Sequence, residues 1–160
     1  MKSWGSSSLE DRAFAQVRPV AQTSMAPSGL LYLVTPHDVQ GLCSALAQSR
    51  LPADLEAKLT SLAGGGICER YIEQNSRLFV ALLLAALENS FTKATPADRE
   101  RLLRVLAYVR KDDDAIPDYK PGGFIDDQQE VRAAATELKP LLLDFKVWRL
   151  RHQVPGLWRC

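Results

Sequence analysis

A dense cluster of carboxylates between residues 112 and 130 is the part of the sequence best suited to chemistry. This segment holds seven acidic residues and one base, Lys120, so its formal charge is −6. Carboxylates this close repel one another unless a cation, a helix N-terminus or a basic side chain offsets them. Carboxylate oxygens are also the ligands that Mg²⁺, Mn²⁺ and Ca²⁺ prefer. One hypothesis is therefore a divalent-cation site with the ligands Asp114, Asp118, Asp126 and Asp127.

The same loop can also be explained without a ligand. Two prolines stiffen it, and the pair Gly122 and Gly123 allows the chain to reverse. Asp126 or Asp127 would then cap the following helix by accepting backbone N–H groups. The spacing of acids and glycine does not match an EF-hand loop. At the level of sequence, the metal site and the helix cap remain two open interpretations.

The C-terminal segment is the second candidate for function. From Lys146 to Arg159 it carries four bases, no acid and two tryptophans. Bases interleaved with aromatic rings suit phosphate contacts and base stacking, or an anionic membrane surface. The candidate partner-binding residues are Trp148, Arg149, Arg151 and Trp158. The alternative is that Trp148 and Leu150 pack inward while the arginines are solvated.

Composition narrows the class of protein. The net charge is +1, so no global field attracts nucleic acid, and two histidines are too few for a His-rich metal site. Three widely spaced cysteines form no disulfide framework, which is typical of a reducing compartment. The first residues lack the apolar region of a signal peptide, and the longest apolar run, at 78–87, is shorter than a membrane span. We expect a cytoplasmic protein, at most peripheral to a membrane.

Helical spacing of apolar residues runs through most of the chain. Thr35-Pro36 and Thr95-Pro96 are helix starts, and three glycines at 64–66 provide a left-handed helix end. Pro140 should kink or split the last helix. Residues 1–29 are polar and rich in helix breakers, which predicts a flexible tail. The prediction is an all-α protein in which residues 30–160 form one bundle of about five helices, at 35–50, 52–63, 67–90, 95–111 and 126–151.

The string AIPDYKPGGFIDD, at 115–127, resembles the signature of the YkvA-like domain family, also called DUF1232. That signature is close to D-x-I-P-D-x-x-P-x-x-G-x-x-D-D and lies between two helices. The resemblance covers residues 75–150 and implies a helical architecture with little defined chemistry. Family members often carry more apolar flanks, whereas Arg110, Lys111, Asp112 and Asp113 stand here. This departure weakens the membrane association that the resemblance would imply.

Three functions are compatible with these features. The favoured one is a non-enzymatic interaction or regulatory module. It would contact an unidentified protein through the carboxylate-rich segment at 112–130, here called the acidic loop, and through the C-terminal segment. The first alternative is a divalent-metal-dependent hydrolase at the aspartate cluster, where the metal would activate water. The second alternative is binding of nucleic acid or a membrane surface through the C-terminal segment. The sequence leaves the oligomeric state open.

Overall fold

The structure, a computed structural model, describes residues 31–112 and 116–157, without the side chains of Tyr32 and of residues 153–157. The predicted tail at 1–29, Asp114 and Trp158 lie outside these residues. A 3₁₀ turn, Leu31–Leu33, precedes six α-helices in the described ranges, and no strand is present there. The all-α prediction is confirmed. The helices are α1 Pro36–Ala47, α2 Ala53–Ala63, α3 Ile67–Leu87, α4 Pro96–Arg110, α5 Ile125–Glu137 and α6 Lys139–Leu157.

Helices α1 and α4 start with the same local chemistry. Thr35 accepts a hydrogen bond from the Asp38 N–H at 3.2 Å, and the Asp38 carboxylate accepts one from the Thr35 N–H at 2.9 Å. Thr95 and Asp98 repeat this reciprocal pair at the start of α4. Each reciprocal pair is a capping box, and it satisfies two backbone donors that a helix start otherwise leaves unpaired. Both predicted starts are confirmed.

Two helices end earlier than predicted. Helix α1 stops at Ala47 rather than near residue 50, because Ser49 adopts a left-handed φ of 54°. The Arg50 N–H then bonds the Ala45 carbonyl at 3.0 Å, which closes the helix as a Schellman motif. Asn89, with a φ of 57°, ends α3 in the same way.

The three glycines do not provide the left-handed helix end that the sequence predicts. Gly64 closes α2 with a right-handed φ of −85°, and Gly122 is the only described glycine with a positive φ. The reason for glycine here is space, since a Cβ on Gly65 would lie 2.7 Å from the Cβ of Glu69. The prediction of a left-handed cap at this position is wrong.

The predicted last helix is two helices. The break falls at Leu138, two residues before Pro140, whose ring nitrogen cannot donate a helical hydrogen bond. The Leu138 N–H still bonds Ala134, and the Leu142 N–H bonds Leu138, so few bonds are lost. Pro140 therefore splits the segment, which is one of the two outcomes predicted for it, and the described ranges hold six α-helices where about five are predicted.

Helices α3 and α4 form the centre of the bundle. Helix α3 packs against α1, α2, α4 and α5, and α4 packs against α1, α2, α3 and α5. Phe79 and Leu83 of α3 and Leu106 and Tyr108 of α4 are fully buried. The 3₁₀ turn packs on α4, with Leu31 and Val34 buried. This core fixes α2, α4 and α5 around the acidic loop.

Candidate functional site

Lys58 of α2 lies at the centre of the acidic loop. Its Nζ is 2.6 Å from Asp118 Oδ2, 3.8 Å from Asp112 Oδ1 and 3.9 Å from Asp127 Oδ2. The same ammonium donates a hydrogen bond to the Lys111 carbonyl at 2.8 Å. One cation therefore meets three carboxylates and one backbone oxygen, and the protein supplies that cation itself.

The position of Lys58 explains how it reaches the loop. It lies beside the apolar stripe of Leu55, Leu59 and Leu62, all of which are buried. Its side chain is only 9% exposed, so the aliphatic stem runs through apolar surroundings and the charge ends among carboxylates. A buried ammonium in this place requires those carboxylates, because an unpaired buried charge is strongly unfavourable.

The half-buried carboxylate of Asp118 experiences two opposing effects. Burial raises the pKa of Asp118, while the hydrogen bond and the charge of Lys58 pull that pKa down. Asp127 is completely buried in the first turn of α5. A helix N-terminus favours negative charge. This position and the nearby Lys58 ammonium therefore both make burial of the Asp127 carboxylate less unfavourable.

Asp126 serves a different contact. Its Oδ2 accepts a hydrogen bond from the Tyr108 hydroxyl at 2.7 Å and another from the Ile116 N–H at 3.2 Å. Tyr108 is fully buried in α4, and Ile116 belongs to the loop. Asp126 therefore fastens the loop to the middle of the bundle. Glu130, one turn further along α5, is buried as well.

The prediction that Asp126 or Asp127 is the N-cap of the helix after the loop, α5, is wrong. The N-cap of α5 is Phe124, which makes no side-chain capping bond, and the two aspartates lie in the first turn. Gly122 and Gly123 bring the chain round so tightly that a Cβ on Gly123 would lie 2.4 Å from the Pro117 carbonyl oxygen. That close turn places the helix start before the aspartates.

The metal hypothesis stays a prediction. Of its four ligands, Asp114 lies outside the described residues, Asp118 and Asp127 approach Lys58, and Asp126 bonds Tyr108. Within the described residues, no group of three or more His, Cys, Asp or Glu side chains could hold a metal ion. A metal at the centre of the loop would have to displace the Lys58 ammonium.

Two residues of this site escaped the sequence analysis. The sequence around Lys58 could have indicated its position, since a lysine beside three regularly spaced leucines lies at the edge of a buried helix face. The sequence around Tyr108 also gives a signal, because a tyrosine within the apolar run of α4 needs a partner for its hydroxyl when buried. Neither signal names the acidic loop as the partner, which only the packing of α2, α4 and α5 determines.

The C-terminal candidate residues that the structure describes differ in their burial and contacts. Trp148 faces the bundle, stacked on Phe145 with ring centroids 5.6 Å apart and edge-on to Phe91 at 5.7 Å. The ring of His152 covers its other side at 4.4 Å. The Arg149 guanidinium lies over the Phe145 ring, and Arg151 is exposed. The predicted inward position of Trp148 is confirmed.

The inward position predicted for Leu150 is wrong, because this side chain is 68% exposed. Leu143 and Val147 are also about half exposed, at 51% and 47%. These three residues follow helical i, i+4, i+7 spacing and are here called the outer face of α6. They lie opposite Leu142 and Phe145, which bury the other side of α6.

Exposed bases border the outer face. Lys139 and Lys146 lie along one side of the aliphatic stripe, and Arg151 lies along the other. The nearby acid, Asp144, forms an ion pair with Lys93 at 3.4 Å. The surface is therefore an aliphatic stripe with a positive border, which suits an apolar partner that carries acidic side chains.

Comparison with protein-family models, with curated proteins and with solved structures gives no match to this chain. None of the helices in the described part of the chain has the length and apolar character needed to cross a membrane. The geometry of the described residues alone defines the class of molecule: an all-α bundle whose acidic loop contacts Lys58 and Tyr108, with one helix face that no other described element covers.

Proposed function

We propose that this protein is a non-enzymatic interaction module that binds a protein partner through the outer face of α6. The observation that supports this most is that α6 is apolar on two opposite sides, and the bundle covers only one of them. Single exposed aliphatic residues are ordinary, but three at helical contact spacing form one continuous surface. A helix or groove with apolar residues at matching spacing and acidic neighbours fits this surface.

Two features favour a protein over the other candidate partners. Surfaces that bind single-stranded nucleic acid stack the bases on outward aromatic rings, whereas Trp148 is packed on Phe145 and Phe91. Helices that lie in a membrane interface usually place tryptophan or phenylalanine on the lipid side, and the outer face has only Leu143, Val147 and Leu150. An aliphatic stripe of this width is typical of helix-to-helix contact.

The YkvA-like resemblance is consistent with this proposal, because it implies an architecture rather than a reaction. The alternative of a metal-dependent hydrolase gains no support from the described residues, since the loop carboxylates contact Lys58 and Tyr108. In this account the acidic loop holds α2, α4 and α5 together and thereby sets the position of α6.

The proposal is tested by the variant Leu150→Glu, with Ile67→Glu as the matched control. Both residues are exposed, at 68% and 83%, but Ile67 lies at the start of α3 and not on the outer face. Surface substitutions usually change stability by less than about 0.5 kcal/mol, so both variants should fold. Proteins that co-purify with the wild-type chain from its own cells are identified and compared among the three forms.

We expect the partner to be lost with Leu150→Glu and retained with Ile67→Glu. Sedimentation with vesicles of phosphatidylserine and phosphatidylcholine is run in parallel, and we expect no binding. If both variants keep the same partner, the outer face is not the binding surface. If the chain sediments with vesicles and Leu150→Glu prevents it, the partner is a membrane rather than a protein.

A further inference from the structure

A cleft of about 790 Å³ opens where α1, α2 and α4 meet. Small residues leave this space, since Gly41, Ala45 and Ala107 form part of its wall. A Cβ placed on Gly41 would meet no atom within 4 Å. The volume falls within the range of pockets that hold small molecules, roughly 300–1,000 Å³. No described residue of α6 lines the cleft, so it is separate from the outer face.

Two ion pairs hold the walls of the cleft together. Lys111 Nζ lies 3.0 Å from Asp38 Oδ2, which ties the end of α4 to the start of α1. Arg110 Nε lies 2.8 Å from Asp54 Oδ2, which ties α4 to the start of α2. These two ion pairs join three helix ends around the cleft.

The charge of the cleft is positive. Its described lining holds three basic side chains, Arg50, Arg110 and Lys111, and two carboxylates, which pair with Arg110 and Lys111. Arg50 is exposed, and its guanidinium donates to the neutral amide oxygen of Gln48 at 2.7 Å. The start of α2 also lines the cleft, but Asp54 and Glu56 in its first turn offset the partial positive charge of that helix start. The excess positive charge therefore comes from Arg50.

The cleft also has apolar lining. Leu51 and Pro52 contribute it from the segment between α1 and α2, next to Arg50, and the small residues of α1 and α4 add to it. A ligand that fills the cleft therefore needs both an anionic group and an apolar body. Charge-assisted hydrogen bonds to guanidinium are the strongest polar contacts that such a site can offer.

We propose that this cleft binds a small organic anion, whose carboxylate or phosphate is held by Arg50 and Arg110 and whose apolar body packs against Leu51 and Pro52. The inference does not depend on the partner-binding role of α6. The two possible anionic groups share the same recognition chemistry, and probes of each kind separate them.

The test is a titration followed through the backbone amide signals of the full chain by NMR. The probes are phenyl phosphate and benzoate, with phenol as the neutral compound of similar shape. We expect saturable shifts centred on Gly41 and Ala53 with at least one of the two anions, and a response to phenol at least about tenfold weaker, which corresponds to ~1.4 kcal/mol. Whichever anion binds more tightly identifies the anionic group.

Two variants give the test its specificity. Arg50→Gln removes from an exposed position a cation that pairs with no carboxylate of the described residues, and we expect it to weaken binding about tenfold or more. Gly41→Leu fills the cleft and should prevent binding, whereas Gly41→Ala improves the helix equally without filling it and should bind as the wild type does.

The proposal is overturned by any of three results. The first is no saturable shift at up to about 10 mM of either anion, beyond the weak end of specific binding. The second is an equal response to phenol. The third is unchanged affinity in both Arg50→Gln and Gly41→Leu.

Discussion

At the scale of single residues, Lys58 and Tyr108 fix a loop to which neither belongs. Lys58 crosses from α2 to three carboxylates, and Tyr108 reaches Asp126 from inside α4. The carboxylate cluster itself is visible in the sequence. Its partners are not, because both side chains come from helices whose positions depend on tertiary packing.

Replacing Lys58 by Met should destabilise the protein by about 3–5 kcal/mol, because it leaves the buried Asp127 and the half-buried Asp118 without their shared cation. Methionine keeps the apolar stem, so the loss reports the charge. The control is Lys111→Met, which breaks the more exposed pair with Asp38 and should cost at most ~1 kcal/mol. Urea unfolding of the three forms measures both differences.

The double variant Lys58→Met/Asp118→Asn should be more stable than Lys58→Met alone. Burial already disfavours the charged form of Asp118, as its raised pKa indicates, so removal of that charge relieves the strain that the missing ammonium creates. The same unfolding experiment decides the point. A double variant less stable than Lys58→Met would show that Asp118 contributes through something other than its contact with Lys58.

Divalent cations should leave the melting midpoint of the wild-type chain unchanged. The Lys58 ammonium already occupies the space among the carboxylates, and a ligand raises the midpoint only if it binds the folded state. Thermal unfolding with EDTA, Mg²⁺, Mn²⁺ or Ca²⁺ tests this. A rise that Asp126→Asn/Asp127→Asn abolishes would instead support the metal-site hypothesis.

Asp38 should give the protein a pH dependence in the acid range. The Thr35 N–H and the side chain of Lys111 lower its pKa to about 2 in the folded chain. A pKa lower in the folded state means that Asp38 stabilises the protein above about pH 4 and loses this effect as the pH falls toward 2. The difference in unfolding free energy between wild type and Asp38→Asn should therefore shrink over that range. A constant difference would contradict the assignment.

At the scale of elements, the sequence predicts helix starts better than helix ends. Both starts follow from a Thr, a Pro and an Asp within four residues, so their chemistry is local. The ends of α1 and α3 depend on Ser49 and Asn89 adopting a left-handed φ. Neither residue is glycine, so the composition gives little warning of these turns.

Gly123→Ala should destabilise the loop by about 1–3 kcal/mol, because its Cβ would lie 2.4 Å from the Pro117 carbonyl oxygen and 2.7 Å from the Asp118 Cα. The same change at Gly41 is the control. There the new Cβ meets nothing, and alanine should stabilise α1 by about 0.5–1 kcal/mol. Thermal unfolding should move in opposite directions for the two variants. A shift in the same direction would mean that the loop turn is looser than described.

At the scale of the whole molecule, the sequence predicts a bundle but not its surface. Apolar spacing identifies the helices, and the charge-poor stretch of α3 correctly marks the centre. The spacing of apolar residues cannot show which side of α6 is covered by the bundle, because α6 carries apolar residues on two opposite sides. Leu150 was therefore expected inside, while the bundle takes up Trp148 and Phe145 instead.

The outer face of α6 and the acidic loop both carry exposed side chains, and the sequence alone favours neither as the contact surface. Tyr119 in the acidic loop is 78% exposed, and so the loop also presents an aromatic side chain to the surroundings. We assign partner contact to α6 and a structural role to the loop. A photoreactive residue placed on each surface distinguishes the two assignments in one experiment.

The most direct measurement is photo-crosslinking of the full chain in its own cells, with the reactive residue at position 147 or at position 119. Both sites are exposed, and neither substitution removes a described hydrogen bond or ion pair. The account predicts an adduct with one partner protein from position 147, lost when Leu150→Glu is added, and no such adduct from position 119. An adduct from position 119 alone would contradict the account and assign the contact to the acidic loop.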